Sequence, residues 1–319
     1  MSTPFFLAPM AELSHRALRE LIEGFGGCDE YFTEMISAAG LLGGGPFERW
    51  YTDGGPCPEK LVYQLVGADI GQITRAAALL DRLECRGIDL NMGCCAPLIR
   101  RTGAGIAWMA SADRAGELVK SVRKAVKRRL SVKLRTGFTD DFAYLVQFCR
   151  RLEVEGVDLI ILHPRTAKEK LKRLARWDYV SALRQELRIP VAGNGDITSA
   201  EGLAARAQGP VGDPSGSCCD AVMVGRAAVR YPWIFAESKK ATGASRQGTL
   251  RPVQETGLRF LELLTRWQPP EFHISRARRF FGFFCDNCKW GNFLKNQLNR
   301  EESLSGMEKV WQEYFRENS

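Results

Sequence analysis

No stretch of this chain approaches the roughly 18 consecutive apolar residues of a membrane-spanning helix, so no helical span is expected. The opening segment, Met1 to Met10, carries no charged leader before its apolar run and enters a strand-like pattern at Phe5. It does not read as a secretory signal, and the cytoplasm is the expected location. A strong charge excess is also missing. The formal charge of +8 and pI near 9.0 favour a polyanionic partner over an acidic one without demonstrating either. Cysteine is not scarce, at ten residues, but it is scattered through apolar segments of a long chain, so reduced thiols are expected. Nothing resembles a Ser-His-Asp set, and no GxGxxG follows the first apolar run. Cys285-x-x-Cys288 has the spacing of only half a zinc site, and the adjacent pair Cys218-Cys219 is poorly suited to supply the rest, so no metal is expected.

What is present is rhythm. The chain has 319 residues, 45% hydrophobic and 26% charged, enough for a large barrel with a small appendage. Short apolar runs recur at Phe5-Ala8, Tyr31-Thr33, Leu61-Leu65, Ile88-Asn91, Val132-Arg135, Leu159-His163, Val191-Gly193 and Ala221-Val224. Most are separated by about thirty residues, one strand-helix unit. Helical spacing fills the gaps at Arg16-Gly24, Ile73-Leu83, Arg114-Val126, Phe142-Arg151 and Ala200-Arg206. Eight such units predict an α/β fold of the (β/α)8 TIM-barrel type rather than a doubly wound sheet. Gly40 to Pro58 reads as a long loop, and Gln208 to Ser217 as a surface excursion. After Phe235 the alternation stops. Apolar spacing in Phe260-Leu264, Phe280-Phe284, Phe293-Leu298 and Val310-Phe315 predicts a small all-helical domain, giving units at 1–240 and 245–319. From Ser245 onward twelve Lys and Arg face nine acidic residues, so the tail is no basic arm.

In such a barrel the C-terminal strand ends face the active site. Those ends carry Ala8-Pro9-Met10, Gln64, Asn91 with Cys94, Lys133 and Arg135, His163 and Arg165, Asn194-Gly195-Asp196, and Gly225-Arg226. The last two sets have the form of a phosphate site, where glycine admits backbone amides and Arg226 adds a charge. Lys133 can neutralise the N1–O2 edge of a reduced flavin, and Gln64 and Asn91 offer the donors and acceptors such an edge needs. The plainer alternative for any one of them is a strand-end cap.

The blocks APM at Ala8-Met10, QLVG at Gln64-Gly67, DLNMGC at Asp89-Cys94, VKLRTG at Val132-Gly137, HPRT at His163-Thr166, GNGDI at Gly193-Ile197 and DAVMVGRAA at Asp220-Ala228 resemble, in order, those of the dihydrouridine synthase family. They span nearly the whole barrel; the tail is similar in length and placement only. The resemblance implies FMN as cofactor and NADPH as reductant. It implies hydride transfer from flavin N5 to C6 of a uracil ring in tRNA, with Cys94 as the acid that protonates C5. A thiol of ordinary pKa near 8.5 is mostly protonated at neutral pH and can donate. The family's Asn-x-Gly-Cys-Pro becomes Gly93-Cys94-Cys95 here, with proline displaced to Pro97, so Cys95 is a rival for the same role. His163 resembles the family histidine near the flavin; Arg135 is either a second active-site cation or a partner in a salt bridge.

A base within folded RNA has to leave its stack to reach a barrel pocket, which calls for a phosphate-gripping rim. Candidates are Lys168, Lys170, Lys172, Arg173 and Arg176 after strand six, Arg100 and Arg101 after the Cys94 loop, and Arg276, Arg278 and Arg279 in the tail. Arg135 and Arg165 are further candidates for substrate contact. Arg123, Lys124, Lys127, Arg128 and Arg129 precede strand five, on the opposite rim, and read as a solvated helix end. The tail phenylalanines Phe280, Phe281, Phe283 and Phe284 read as core rather than as stacking platforms. Apart from RNA, a monomer without an obligate protein partner is expected. The alternatives are the same chemistry on ribosomal RNA, an FMN barrel acting on free pyrimidines, and a catalytically silent RNA-binding module.

Overall fold

The computed structural model describes residues 3–169, 172–209, 218–241 and 252–318. Eight parallel strands form on the eight apolar runs: β1 Phe5–Leu7, β2 Glu30–Phe32, β3 Leu61–Val66, β4 Gly87–Met92, β5 Arg129–Gly137, β6 Leu159–Thr166, β7 Val191–Asn194 and β8 Ala221–Val224. Each pairs with the next, β2 meets β3 through Tyr31 and Leu61, and β8 returns to β1 through Val224 and Leu7. The sheet is therefore a closed barrel with no free edge.

Alternation sorts the strand residues into two cores. Phe6, Ala8, Phe32, Val62, Leu159, Ile161, Ala192, Ala221 and Met223 fill the barrel axis. Their neighbours Phe5, Leu7, Tyr63, Ile88, Leu90, Val132, Leu162 and Val224 face outward against the helices. The same period carries Gln64, Asp89, Asn91, Ser131, Lys133, His163 and Asn194 into the interior above the apolar plug. Side chains of Asp69, Ser111, Asp141 and Ser199 cap the helices that follow, accepting the amides of Gln72, Arg114, Tyr144 and Gly202.

The segment expected as a long loop from Gly40 to Pro58 is partly helical. Ala38–Gly43 forms one helix, opened by the Ser37 hydroxyl on the Gly40 amide and closed by left-handed Gly44 at φ 66°, and Glu48–Tyr51 forms another. Its glycines mark a helix end rather than a structureless run. A helix at Trp177–Glu186 completes the sixth unit. Its apolar positions Trp177, Val180 and Leu183 are too sparse to stand out from the surrounding charge. The stretch 210–217 within the expected surface excursion, and the expected unit boundary between residues 240 and 245, fall largely outside the described residues. Among the described residues no helix is long and apolar enough to cross a membrane.

The tail forms the helices Val253–Trp267, Pro270–Phe284, Gly291–Leu298 and Leu304–Glu317. Phe260 stacks on Phe280 at 3.7 Å, and Phe281, Phe284 and Trp311 pack around them. Phe280, Phe281 and Phe284 are buried, as the core assignment requires, while Phe283 is half-buried. This aromatic core is continuous with the outer core of the barrel. One strongly buried ion pair also crosses the junction, between Arg276 and Glu34 at 2.9 Å, with side chains 3% and 5% exposed. Arg276, a candidate to grip RNA, is therefore not available for it; it pins the tail to the loop after β2. Arg278 donates to the Glu301 carbonyl at 2.9 Å, and Arg279 makes an exposed pair with Glu12 at 3.5 Å.

Breaking one side of a buried pair strands the other charge, at a cost of roughly 3–5 kcal/mol. Arg276→Met should accordingly lower the urea midpoint of unfolding well below that of the parent. The double variant Arg276→Met/Glu34→Gln should recover much of the loss. A single variant that unfolds with the parent would show that the pair contributes nothing.

Candidate functional site

The inward register ends at a cavity of about 250 Å³ in the C-terminal mouth of the barrel, lined by Ala8, Pro9, Met10, Lys133, His163, Arg165, Asn194, Gly195, Asp196, Ile197, Met223, Gly225 and Arg226. The strand ends expected to hold a cofactor thus converge, with two exceptions. Gln64 and Asn91 lie beside the cavity rather than on its wall. Their amides are joined to each other, Asn91 Nδ2 donating to Gln64 Oε1 at 2.9 Å. Cys94 is likewise outside the lining. It is half-buried on the loop after β4, whose Gly93 and Cys94 amides both donate to Asn91 Oδ1, at 3.2 and 2.9 Å.

One wall is a tight glycine seam. A Cβ at Gly193 would sit 2.2 Å from the Trp177 ring; at Gly195, whose φ is +132°, it would sit 2.9 Å from Ala175 Cβ and 3.1 Å from His163 Cδ2. Only glycine fits both the backbone and the space. Asp196, left-handed at φ 54°, then turns back into the protein: its carboxylate accepts from Arg165 at 2.5 Å and from the Ala175 amide at 2.6 Å. Asn194 donates to the Met223 carbonyl at 2.8 Å and ties β7 to β8.

The electrostatics are cationic. Lys133 has no ion pair or hydrogen-bond partner among the described residues, and burial and Arg135 lower it from 10.5 to about 8. Arg226 is exposed at the rim, also without an ion pair. His163 is pushed down to about 2, first by burial and then by Lys133, Arg135, Arg165 and Arg226, so it is neutral. Its Nε2 lies 2.9 Å from an Arg165 N–H. Arginine only donates, so Nε2 accepts and the ring proton sits on Nδ1. That Nδ1–H has no acceptor among the described residues.

This geometry revises the part expected of two arginines. Arg165 is 2% exposed and serves Asp196, His163 and the Arg173 carbonyl; it orients the site instead of reaching outward. Arg135 is 8% exposed and donates to the Thr166 carbonyl at 3.2 Å, with the Cys94–Cys95 loop in its field. Burial raises the Cys94 thiol above its ordinary pKa, so it is protonated at neutral pH. On the rim, Arg100, Arg101, Lys168, Lys172 and Arg173 are exposed. Arg176 is instead paired with Glu169 and with Asp140 at 3.2 Å, and Lys170 lies outside the described residues. On the opposite rim, Arg123, Arg128 and Arg129 are tied to Asp158, Asp81 and Glu30 rather than merely solvated.

Sequence reasoning missed Asp89, Trp177, Ile197 and Met223. Asp89 was legible from alternation, since it lies two residues before inward-facing Asn91. Trp177 carried no local signal, because its role is to close against glycines in another unit. No disulfide joins the ten cysteines, and no group of three His, Cys, Asp or Glu residues is arranged to hold a metal among the described residues.

A family model described as dihydrouridine synthase matches residues 6–318. A probable tRNA-dihydrouridine synthase of Aquifex aeolicus is 33% identical over 239 residues, covering 73% of this chain and 72% of that protein. A tRNA-dihydrouridine(47) synthase NAD(P)(+)-like protein of Rattus norvegicus is 28% identical over 301 residues. That match covers 92% of this chain but only 44% of the relative, so the chain spans under half of the relative's length. The solved structure of a 2-naphthoyl-CoA reductase complex is similar with a TM-score of 0.54 and 11% identity, over 75% of this chain and 50% of that one. The last likeness concerns the fold alone.

Lys133 yields a pH test. Unfolded, the amine holds its proton up to about 10.5; folded, only to about 8. At neutral pH folding works against that charge, and the cost fades as pH rises from about 8 to 10.5. Lys133→Met should therefore raise the melting temperature of the ligand-free protein at pH 7, with the gain shrinking by pH 10. A gain that is absent, or equal at both pH values, would contradict a buried, unpaired cation.

Proposed function

This chain belongs to the dihydrouridine synthase family, and we propose that it reduces uridine to 5,6-dihydrouridine in transfer RNA. The observation that carries this reading is the site itself: an unpaired lysine, a neutral histidine and glycine-lined strand ends around one cavity, with a protonated thiol on the adjoining loop. The printed names of the relatives, tRNA-dihydrouridine synthases, support the substrate class.

The residues fit FMN. Gly195, Gly225 and Arg226 would take its phosphate, with backbone amides that glycine leaves open and one mobile cation. Lys133 would face the pyrimidine edge, where an unpaired ammonium is worth most as negative charge develops. His163 would donate through Nδ1–H, the one ring donor its contact with Arg165 leaves over. When bound, FMN supplies the hydride delivered to C6 of the uracil ring, at the expense of NADPH. Cys94 gives its thiol proton to C5, and the raised pKa keeps that proton in place until it is needed. The balance is one uridine, one NADPH and one proton yielding dihydrouridine and NADP+. Arg100, Arg101, Lys168, Lys172 and Arg173 would hold backbone phosphates around the mouth. Cytoplasmic location and a monomeric state complete the proposal.

The purified protein should bind FMN and, with NADPH and tRNA lacking the modification, produce dihydrouridine detectable by mass spectrometry of the digested RNA. Product absent with flavin bound would turn the reading toward ribosomal RNA or free pyrimidines; absence of flavin binding would remove it. Cys94→Ala should leave reduction of the flavin by NADPH largely intact while slowing uridine reduction by about 10²–10⁴-fold, the range of a lost general acid. Cys95→Ser should retain most activity. If the two variants exchange behaviour, Cys95 is the acid.

A further inference from the structure

Asp89 has no exposed surface, and its carboxylate sits inside the barrel below the cavity. One oxygen accepts from Gln64 Nε2 at 2.7 Å, the other from Ser131 Oγ at 2.6 Å. Burial raises its pKa to about 6, which leaves it ionised at neutral pH. An ionised carboxylate only accepts hydrogen bonds. Gln64 is therefore obliged to present its amide nitrogen to Asp89 and its carbonyl oxygen to the other side, where Asn91 Nδ2 donates at 2.9 Å. Asn91 in turn has its own carbonyl oxygen facing the chain, where it holds the amides of Gly93 and Cys94. The directions of three side chains follow from one negative charge. From the far side the loop is held by the Ile106 amide on the Cys94 carbonyl at 3.0 Å. A Cβ at Gly105 would approach that same carbonyl to 2.5 Å.

We propose that Asp89 is a positioning residue: through Gln64 and Asn91 it sets the hydrogen-bond direction that holds the Cys94 loop. The proposal rests on the reading of Cys94 as the proton donor. It also explains why Gln64 and Asn91 lie at strand ends yet off the cavity wall. One bond joins them; the Gln64 nitrogen goes on to Asp89 and the Asn91 oxygen to the Gly93 and Cys94 amides, and the result is a fixed loop. Supporting groups of this kind commonly alter activity by ten- to a hundredfold when removed.

Polarity can be broken and restored without changing shape. In Gln64→Glu two carboxylates meet where one hydrogen bond was; ionised they part and the direction is lost, whereas a shared proton would restore it, so the variant is read on the alkaline side of neutrality, where both are ionised. In the double variant Asp89→Asn/Gln64→Glu the asparagine nitrogen donates to the glutamate, whose other oxygen still accepts from Asn91. The direction at Cys94 is then as in the parent. Gln64→Leu cuts the chain with no added charge, and serves if Gln64→Glu does not fold.

Two readouts separate this proposal from the functional one. The first is alkylation of Cys94 by iodoacetamide in the protein alone, followed on its own peptide by mass spectrometry. The second is the turnover number for uridine reduction, measured beside the rate of flavin reduction by NADPH. Gln64→Glu and Gln64→Leu should speed Cys94 alkylation and lower turnover, each on the order of tenfold, with flavin reduction unchanged. The double variant should return toward the parent in both. Parental alkylation in Gln64→Glu and Gln64→Leu would overturn the relay. So would a double variant as impaired as Gln64→Glu, which would mean that Gln64 acts through its own amide nitrogen. If the parent makes no dihydrouridine, the functional reading fails while the alkylation series still decides the relay.

Discussion

A closed parallel barrel lets only every second residue of a strand reach the axis, and the site depends on how those positions are filled. The lower ones hold Phe6, Phe32, Val62, Leu159, Ile161 and Met223, which make a dry plug. Immediately above it the same register carries Gln64, Asp89 and Ser131, groups that cannot be left unsatisfied in such surroundings. Asp89 is the most demanding of them. The ring of partners it requires reaches the loop on which Cys94 stands. A one-residue slip in β4 would send Asp89 and Asn91 outward among the helices and bring Ile88 and Leu90 to the mouth.

The second organising force is an uncompensated excess of positive charge. Lys133, Arg135, Arg165 and Arg226 all bear on His163, and that field, added to burial, keeps the imidazole neutral. Arg165 is held by Asp196, the Arg173 carbonyl and the ring itself. Lys133 keeps its charge at a cost to stability and, among the described residues, with no carboxylate directly on it. Such an arrangement is stable enough only because the rest of the barrel is closed, capped and tightly packed, and it suits an anionic occupant.

The tail is more than an appendage. Its phenylalanine core runs without a break into the outer core of the barrel. Its helix Pro270–Phe284 places Arg276 on Glu34 and Arg279 on Glu12. Glu34 also accepts the Glu12 amide at 2.6 Å, two residues beyond Met10 of the cavity lining. One carboxylate therefore joins the tail to the loop that forms part of the cavity wall. The exposed cations Arg100, Arg101, Lys168, Lys172, Arg173 and Arg226 belong to the barrel itself.

The strands, their order and the residues at their ends were determined by sequence, because a period of two within a strand and about thirty between strands is a local pattern. Ala8, Lys133, His163, Asn194, Gly195 and Arg226 could be assigned to one mouth on that basis alone. What a side chain does once it arrives there is a question of partners distant in sequence, and only the tertiary structure answered it. Arg276 looked like a phosphate ligand until Glu34 stood beside it; Arg165 looked like a substrate contact until Asp196 and His163 claimed its donors. Gln64 and Asn91 could be placed at strand ends from sequence, but their bond to each other and Gln64's bond to Asp89 could not. Sequence supplies the chemical types and their spacing along the chain. It does not supply the pairing of buried charges and amides, because that pairing is made across strands and helices brought together only by closure of the barrel.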